Sequence, residues 1–189
     1  QPISVGEAKQ LPDGWFVGIL PAVVTTDTLE MNGSFYIQSA DRSAGIRISG
    51  DELTARGDAV TVWGTLYTVD GERQIDAVLV QYETSPYPEP DPIFVPVMSF
   101  RYGLDTTGLL VRALGRVTEI SPGEGWFYID DGSSHPCPSG ALGIRVRGLI
   151  SEESLGRYVS VTGISGMESQ GGVIVSVIRT RGSRDISLQ

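Results

Sequence analysis

One phrase occurs twice in the chain, and it constrains the fold more than any other feature. Gly33 to Ile48 reads GSFYIQSADRSAGIRI, and Gly125 to Val146 reads GWFYIDDGSSHPCPSGALGIRV. Both open Gly-x-Phe-Tyr-Ile and close Gly-Ile-Arg followed by a β-branched aliphatic residue. The echo extends outward in the same order. AVVT (22–25) answers GRVT (115–118), GDAVTVWG (57–64) answers GRYVSVTG (156–163), and GERQIDAVLVQ (71–81) answers GGVIVSVIRT (171–180). Partner residues lie 93 apart at Val24/Val117 and 99 apart at Gly64/Gly163, so the longer second loop accounts for six residues. Kept order and spacing over this length describe a duplicated domain, not a solenoid with a repeat of roughly 20–50 residues.

Within each copy, apolar residues alternate along FYI, IRI, AVTVWG and VIVSVI. Period two marks half-buried strands, and Gly, Pro, Ser and Asp between the runs mark turns. In the first copy the strands are predicted at 16–25, 33–38, 44–49, 59–69 and 74–81. DELTARG (51–57) and SEESLG (151–156) are the segments that could form a helical turn. The expected class is all-β, with two tandem five-stranded OB-like Greek-key barrels. Their expected bounds are 1–84 and 99–189, with a Pro-rich linker at 85–98. Pro86, Pro88, Pro90 and Pro92 fall at alternate positions there, which favours extended backbone and a semi-rigid spacer. IFVPV (93–97) is expected to leave the spacer and follow a barrel edge.

Three of these segments, SVGEAKQLPDGWFVGI, FYIQSADRSAGIRI and GDAVTVWGTL, resemble the OB-fold domains of secreted and surface bacterial proteins. LLVRALGRVT, FYIDDGSS, GIRV and GRYVSVTGIS resemble a companion module found beside such domains. The resemblance implies tandem OB folds in an extracellular setting, including filament-forming proteins. It brings no catalytic motif with it, and an OB barrel by itself fixes no function.

Charge narrows the partners. The net charge is −9. Residues 1–98 hold all of it, with 14 acidic residues against Lys9, Arg42, Arg47, Arg56 and Arg73, whereas residues 99–189 carry nine of each sign. Phosphate-backbone affinity comes mainly from Lys and Arg, so nucleic acid, including single strands, is expected to be an unlikely partner. No apolar run reaches the length of about 18 residues that a membrane helix needs. Single copies of lysine, asparagine and cysteine fit a heat-tolerant protein or a GC-rich genome equally. The start Gln1-Pro2 reads as a mature end after signal-peptide removal or as a trimmed chain, the first being favoured. The expected location is therefore extracellular or at the cell surface.

Candidate sites follow from the strand alternation. With Phe35, Ile37, Ile46 and Ile48 inward, Tyr36, Gln38 and Arg47 face outward, as do Tyr128 and Arg145 in the second copy. Strands two and three form the face that OB proteins use for ligands, and a tyrosine beside an arginine can stack on a sugar, a base or a partner side chain. The alternative is a cross-strand pair that covers the barrel wall. Trp15, Trp63 and Trp126 can be core or surface. Asp130 and Asp131, with Ser133 and Ser134, make an oxygen-rich loop where Ca²⁺ is the one cofactor worth weighing, although carboxylates that cap a turn explain the same residues. His135 and Cys137 stand two apart with no orienting group, which is poor for a nucleophile pair and too few ligands for zinc. Finally, Arg179, Arg181 and Arg184 near the C-terminus face an acidic first half. Unlike ends favour head-to-tail contact. The leading expectation is thus a non-enzymatic extracellular subunit that self-assembles into a filament or layer, followed by a carbohydrate-binding module and then a single-stranded nucleic-acid-binding protein.

Overall fold

The computed structural model describes residues 1–84, 87–133, 140 and 142–189. Ser134, His135 and Cys137 lie outside them, as does Pro86. The chain divides into two compact units, Gln1–Asp91 with Thr107–Leu110, and Pro92–Thr106 with Val111–Gln189.

In the first unit the alternating segments become β1 (Phe16–Thr26), β2 (Ser34–Gln38), β3 (Gly45–Ser49), β4 (Ala59–Val69) and β5 (Glu72–Tyr82). They close a barrel in the order β1-β2-β3-β5-β4. The β3–β5 pairing is parallel and the other pairings are antiparallel. This is an OB-like barrel. Closure leaves no sheet edge exposed, which removes the usual template for edge-to-edge pairing. Its core is built from the inward residues of every strand, among them Ile19, Phe35, Ile37, Ile46, Ile48, Val62, Leu66 and Ile75.

That core also takes Val5 and Ala8 from a helix, α1 (Val5–Lys9), which the strand pattern does not predict. Five residues are too few to nucleate a helix alone. A capping box starts this one: Ser4 Oγ accepts from the Glu7 amide, and the Glu7 carboxylate accepts from the Ser4 amide at 2.8 Å. Burial of Val5 and Ala8 then holds it.

The second unit contains β6 (Ile93–Phe94), β7 (Leu110–Ser121), β8 (Trp126–Asp130), β9 (Ile144–Arg147), β10 (Tyr158–Gln170), β11 (Val173–Arg179) and β12 (Ile186–Leu188). The sheet order is β12-β10-β11-β9-β8-β7-β6, and β10 also pairs with β7. Parallel pairing of β9 with β11 mirrors that of β3 with β5. Short 3₁₀ turns occupy Val97–Phe100, Glu152–Ser154 and Ser183–Asp185. The SEESLG segment thus supplies one turn of helix, whereas DELTARG supplies none.

Residues 87–92 carry neither helix nor strand. Ile93 and Phe94 then run parallel to Val111 and Arg112 of β7. Both chain ends are tied down within the chain. Ile3 bridges to Ile19, and β12 pairs with the start of β10. Their order therefore needs no neighbouring molecule, and one motive for the expected polymer disappears.

The repeated phrase keeps its register. Tyr36 faces Arg47 and Ile37 faces Ile46, as Tyr128 faces Arg145 and Ile129 faces Ile144. Gly45 opens β3, and Gly143 immediately precedes β9. A Cβ on Gly45 would stand 2.1 Å from the Gly108 carbonyl oxygen, and one on Gly143 1.9 Å from that of Ile129. Only Gly143 of this pair also has positive φ, at +101°.

Candidate functional site

Period two along β8 sends Trp126 and Tyr128 to one side, where they form a cluster of their own. Their rings meet edge to face, with centroids 5.5 Å apart at 84°. Opposite them on β9 stand Arg147 and Arg145. The Arg145 guanidinium lies 4.4 Å from the Trp126 centroid and 5.8 Å from that of Tyr128. A cation over an aromatic face is attracted by the ring quadrupole, most strongly by tryptophan.

One carboxylate orders this layer. Glu168 of β10 accepts from Arg145 Nη1 at 2.8 Å through one oxygen and from Arg147 Nε at 2.9 Å through the other. Tyr128 donates its hydroxyl to Gln170 at 3.0 Å, and the Trp126 indole N–H donates to Glu124 at 2.6 Å. Arg145 is 5% exposed and Tyr128 2%. Among these contacts one buried group stands out: Arg145 Nε has no hydrogen-bond partner.

Beside the layer is a cavity of about 220 Å³. Tyr128 and Arg145 form part of its wall. Val97, Phe100 and Arg101 close another side, and Ile144, Met167, Ile174 and Ser176 complete most of the rest. The Ser176 hydroxyl donates to the Phe100 carbonyl at 2.8 Å, which fastens the 3₁₀ turn to β11. The Arg101 guanidinium lies 5.7 Å from the ring of the exposed Tyr102. The result is an apolar hollow with cations at its edge and no nucleophile–base pair among these lining residues.

The equivalent place in the first unit is built differently. Tyr36 and Gln38 were expected on an open face, yet both are fully buried. Tyr36 donates its hydroxyl to Glu72 of β5, and the Gln38 side-chain carbonyl accepts from the Leu110 amide at 2.9 Å. Arg47 lies 6.0 Å from the Tyr36 centroid and donates through Nε to Ser34 at 3.0 Å. Alternation placed these side chains off the barrel core correctly. It could not show that other segments supply partners and take them from solvent. Ser34 and Ser49 stand where the second unit has Trp126 and Arg147, so the first unit has serines at the positions of the tryptophan–arginine stack.

Asp131 organises a turn. Its carboxylate accepts from the Val97 amide and the Ser133 amide, each at 2.9 Å, and from the Ser133 hydroxyl. Partial burial pushes its pKa up, but the Ser133 hydroxyl and the two amides outweigh that, and the net shift is downward. Asp130 ends β8 opposite Arg116. Among the described residues no three His, Cys, Asp or Glu side chains gather as a metal site, so the Ca²⁺ candidate gains no geometry here. The C-terminal arginines are also occupied. Arg181 is held by Asp185 through its amide and side chain, and Arg179 donates to the Met167 carbonyl at 2.5 Å. Arg184 remains exposed.

Tyr128 and Arg145 were likewise expected on an open face, yet both are buried, held by Gln170 and Glu168; Arg147, Glu168, Phe100 and Arg101 were not among the expected site residues. Trp126 and Arg147 lie two residues from the chosen pair, so alternation carried a signal for both. Glu168 had none, because it arrives from a separate strand.

No family model matches the chain, and no curated protein matches it. Several solved structures are similar. One is a murine DNA-binding protein bound to double-stranded DNA, with a TM-score of 0.42, 12% identity, and coverage of 84% of this chain and 89% of that one. Another is the Ifi202 HINa domain with a 20-base-pair double-stranded DNA, with a TM-score of 0.40, 12% identity, and coverage of 95% and 97%. A third is the p204 HINb domain, with a TM-score of 0.40, 12% identity, and coverage of 94% and 97%. Double-stranded DNA is bound in two of the three. On this finding the expected extracellular, self-assembling subunit with itself as partner is set aside. So is the expectation that nucleic acid is an unlikely partner.

Proposed function

We propose that the protein is a non-catalytic nucleic-acid-binding protein made of two OB-like barrels in tandem, with single strands as its ligand and the second unit as its contact surface. The observation that carries this reading is the gathering of arginine-on-aromatic contacts around one cavity. Arg145 sits over Trp126 and Tyr128, and Arg101 sits over Tyr102 beside the same hollow. Single-strand binders combine aromatic or apolar surfaces for bases with cations for the backbone, and each stacked base contributes about 1–3 kcal/mol. The acidic surplus lies in residues 1–98, and residues 99–189 balance. The second unit is therefore the half that a polyanion can approach.

Fluorescence anisotropy with labelled single- and double-stranded oligonucleotides tests the reading. Single strands are expected to bind in the micromolar range and more tightly than duplexes of the same length. Absence of binding to any strand at low salt would remove the proposal.

A further inference from the structure

We propose that the outer face of β1, β4 and β5 in the first unit docks a partner protein through a basic amphipathic helix, one whose apolar stripe is flanked by lysine or arginine. This surface lies in the first unit and does not depend on the nucleic-acid reading.

The face is apolar at its centre. Period two turns Val17 and Ile19 of β1, Val62 of β4, and Ile75 and Val80 of β5 into the barrel core, so Phe16, Leu20 and Trp63 point outward. Phe16 is 60% exposed and Leu20 47%. Trp63 pairs with Gly18 on one side and with Leu79 on the other. A Cβ on Gly18 would stand 2.4 Å from the Trp63 ring, so glycine is what lets the indole lie across β1. A bulge then breaks the alternation of β5. Trp63 faces Leu79 and Gly64 faces Ala77, which leaves Val78 without an opposite residue on β4. Bulges re-aim side chains, and here Val78 and Leu79, though consecutive, are 69% and 52% exposed. Single exposed apolar residues need no explanation, but a contiguous group on adjacent strands marks an interaction site.

Charge then names the occupant. β1, β4 and β5 contain one basic residue, Arg73, and Asp13 holds its guanidinium. The exposed Asp76 stands opposite Thr65, which pairs in turn with Phe16. On the other flank the exposed Glu83 accepts from the Thr61 hydroxyl at 2.9 Å. An apolar centre between carboxylates is complementary to an apolar stripe between cations. The same carboxylates repel an anionic lipid surface, a nucleic-acid strand and the like face of a second copy. Closure of the barrel leaves no edge to which a partner could add a strand. Contact must therefore be made by side chains, and an amphipathic helix presents its apolar anchors at i, i+3, i+4 and i+7.

The test uses the full chain and a labelled peptide of about 18 residues, built from leucine and lysine with leucine at the apolar positions of an amphipathic helix. Fluorescence anisotropy is expected to show saturable binding at micromolar concentration, and its absence would overturn the proposal. Val78→Ser combined with Leu79→Ser should weaken binding about tenfold or more. Asp76→Lys should weaken it about threefold, because exposed charge pairs are individually weak. All three side chains are exposed, so their replacement leaves no cavity. Circular dichroism checks the fold, and Asp76→Lys keeps the test open if the double variant misfolds. Unchanged affinity in the double variant would overturn the site, and unchanged affinity in Asp76→Lys would overturn the part given to charge. Equal binding of a leucine–glutamate peptide would overturn the choice of a basic partner, and equal binding of a serine–lysine peptide would overturn the apolar contact. A dimer seen by sedimentation and lost in the double variant would assign the face to a second copy instead. Binding to phosphatidylcholine–phosphatidylserine vesicles, lost in the same variant, would assign it to a membrane and likewise overturn the proposal.

Discussion

Glu168 shows how one side chain can set a site. It is 13% exposed, and it neutralises Arg145, which is 6% exposed at the side chain, while also bridging to the half-exposed Arg147. Breaking a buried pair from one side leaves the other charge stranded, at a cost of about 3–5 kcal/mol. Glu168→Gln should therefore lower stability to urea by about 3 kcal/mol, and Arg147→Gln by under 1 kcal/mol because that bridge faces water. Equal losses in the two variants would show that burial does not separate them. Asp131 sets a pH dependence. Its folded pKa is lowered by the hydrogen bonds it accepts from Ser133 and Val97, against the opposing effect of burial. A depressed carboxylate stabilises the fold above its unfolded value of about 3.9, and this contribution is lost as pH falls through the folded value. Wild type should thus lose more stability than Asp131→Asn between pH 5 and pH 2, by about 1 kcal/mol given its exposure. Parallel pH–stability curves would refute this role.

At the scale of elements, strands were legible and their coverings were not. β4 falls at the predicted 59–69, and the other four strands of the first unit fall within two residues of expectation at most ends. Alternation survives because each strand of a barrel has one inner face. Helix α1 escaped because five residues show no period, although Ser4-x-x-Glu7 is a capping-box signature. Tyr128 and Arg145 were found by the same alternation that found Tyr36 and Gln38. Long-range partners bury all four: Glu72 and the Leu110 amide reach the first pair, Gln170 and Glu168 reach the second, and the second pair also borders a cavity. No local pattern encodes that difference. Gly143, just before β9, tests the register directly. In Gly143→Ala the new Cβ would stand 1.9 Å from the Ile129 carbonyl oxygen at a φ of +101°, so steric overlap adds to backbone strain. The expected loss is about 3 kcal/mol or more, read from the urea midpoint. A near-neutral result would mean that the β8–β9 loop can shift without disturbing the pairing.

At the scale of the whole molecule, the acidic balance is the obstacle that the nucleic-acid reading must meet, and it yields a test. A protein that neutralises six to ten phosphates loses about 10³–10⁵ in affinity between 50 and 200 mM salt, because each contact releases counterions. This chain carries −9 overall, and its second half nets zero. Glu168 and Asp185 already hold Arg145, Arg147 and Arg181. Three of the nine arginines of residues 99–189 are thus engaged by carboxylates, and with no net positive charge in that half, contacts to the bases must supply much of the free energy. Salt acts in two directions on such a complex. It weakens the few phosphate contacts and screens the repulsion between an acidic protein and a polyanion, over a Debye length of about 10 Å at 0.1 M. The two effects oppose each other. Affinity for a single-stranded oligonucleotide should therefore change by less than about tenfold between 50 and 200 mM salt. Association should become faster, not slower, as salt is added, because the long-range field of the protein opposes encounter. Anisotropy titrations and stopped-flow traces across that range measure both quantities. A steep fall in affinity with rising salt would show that phosphate contacts dominate, and contacts to the bases would then be a minor part of binding.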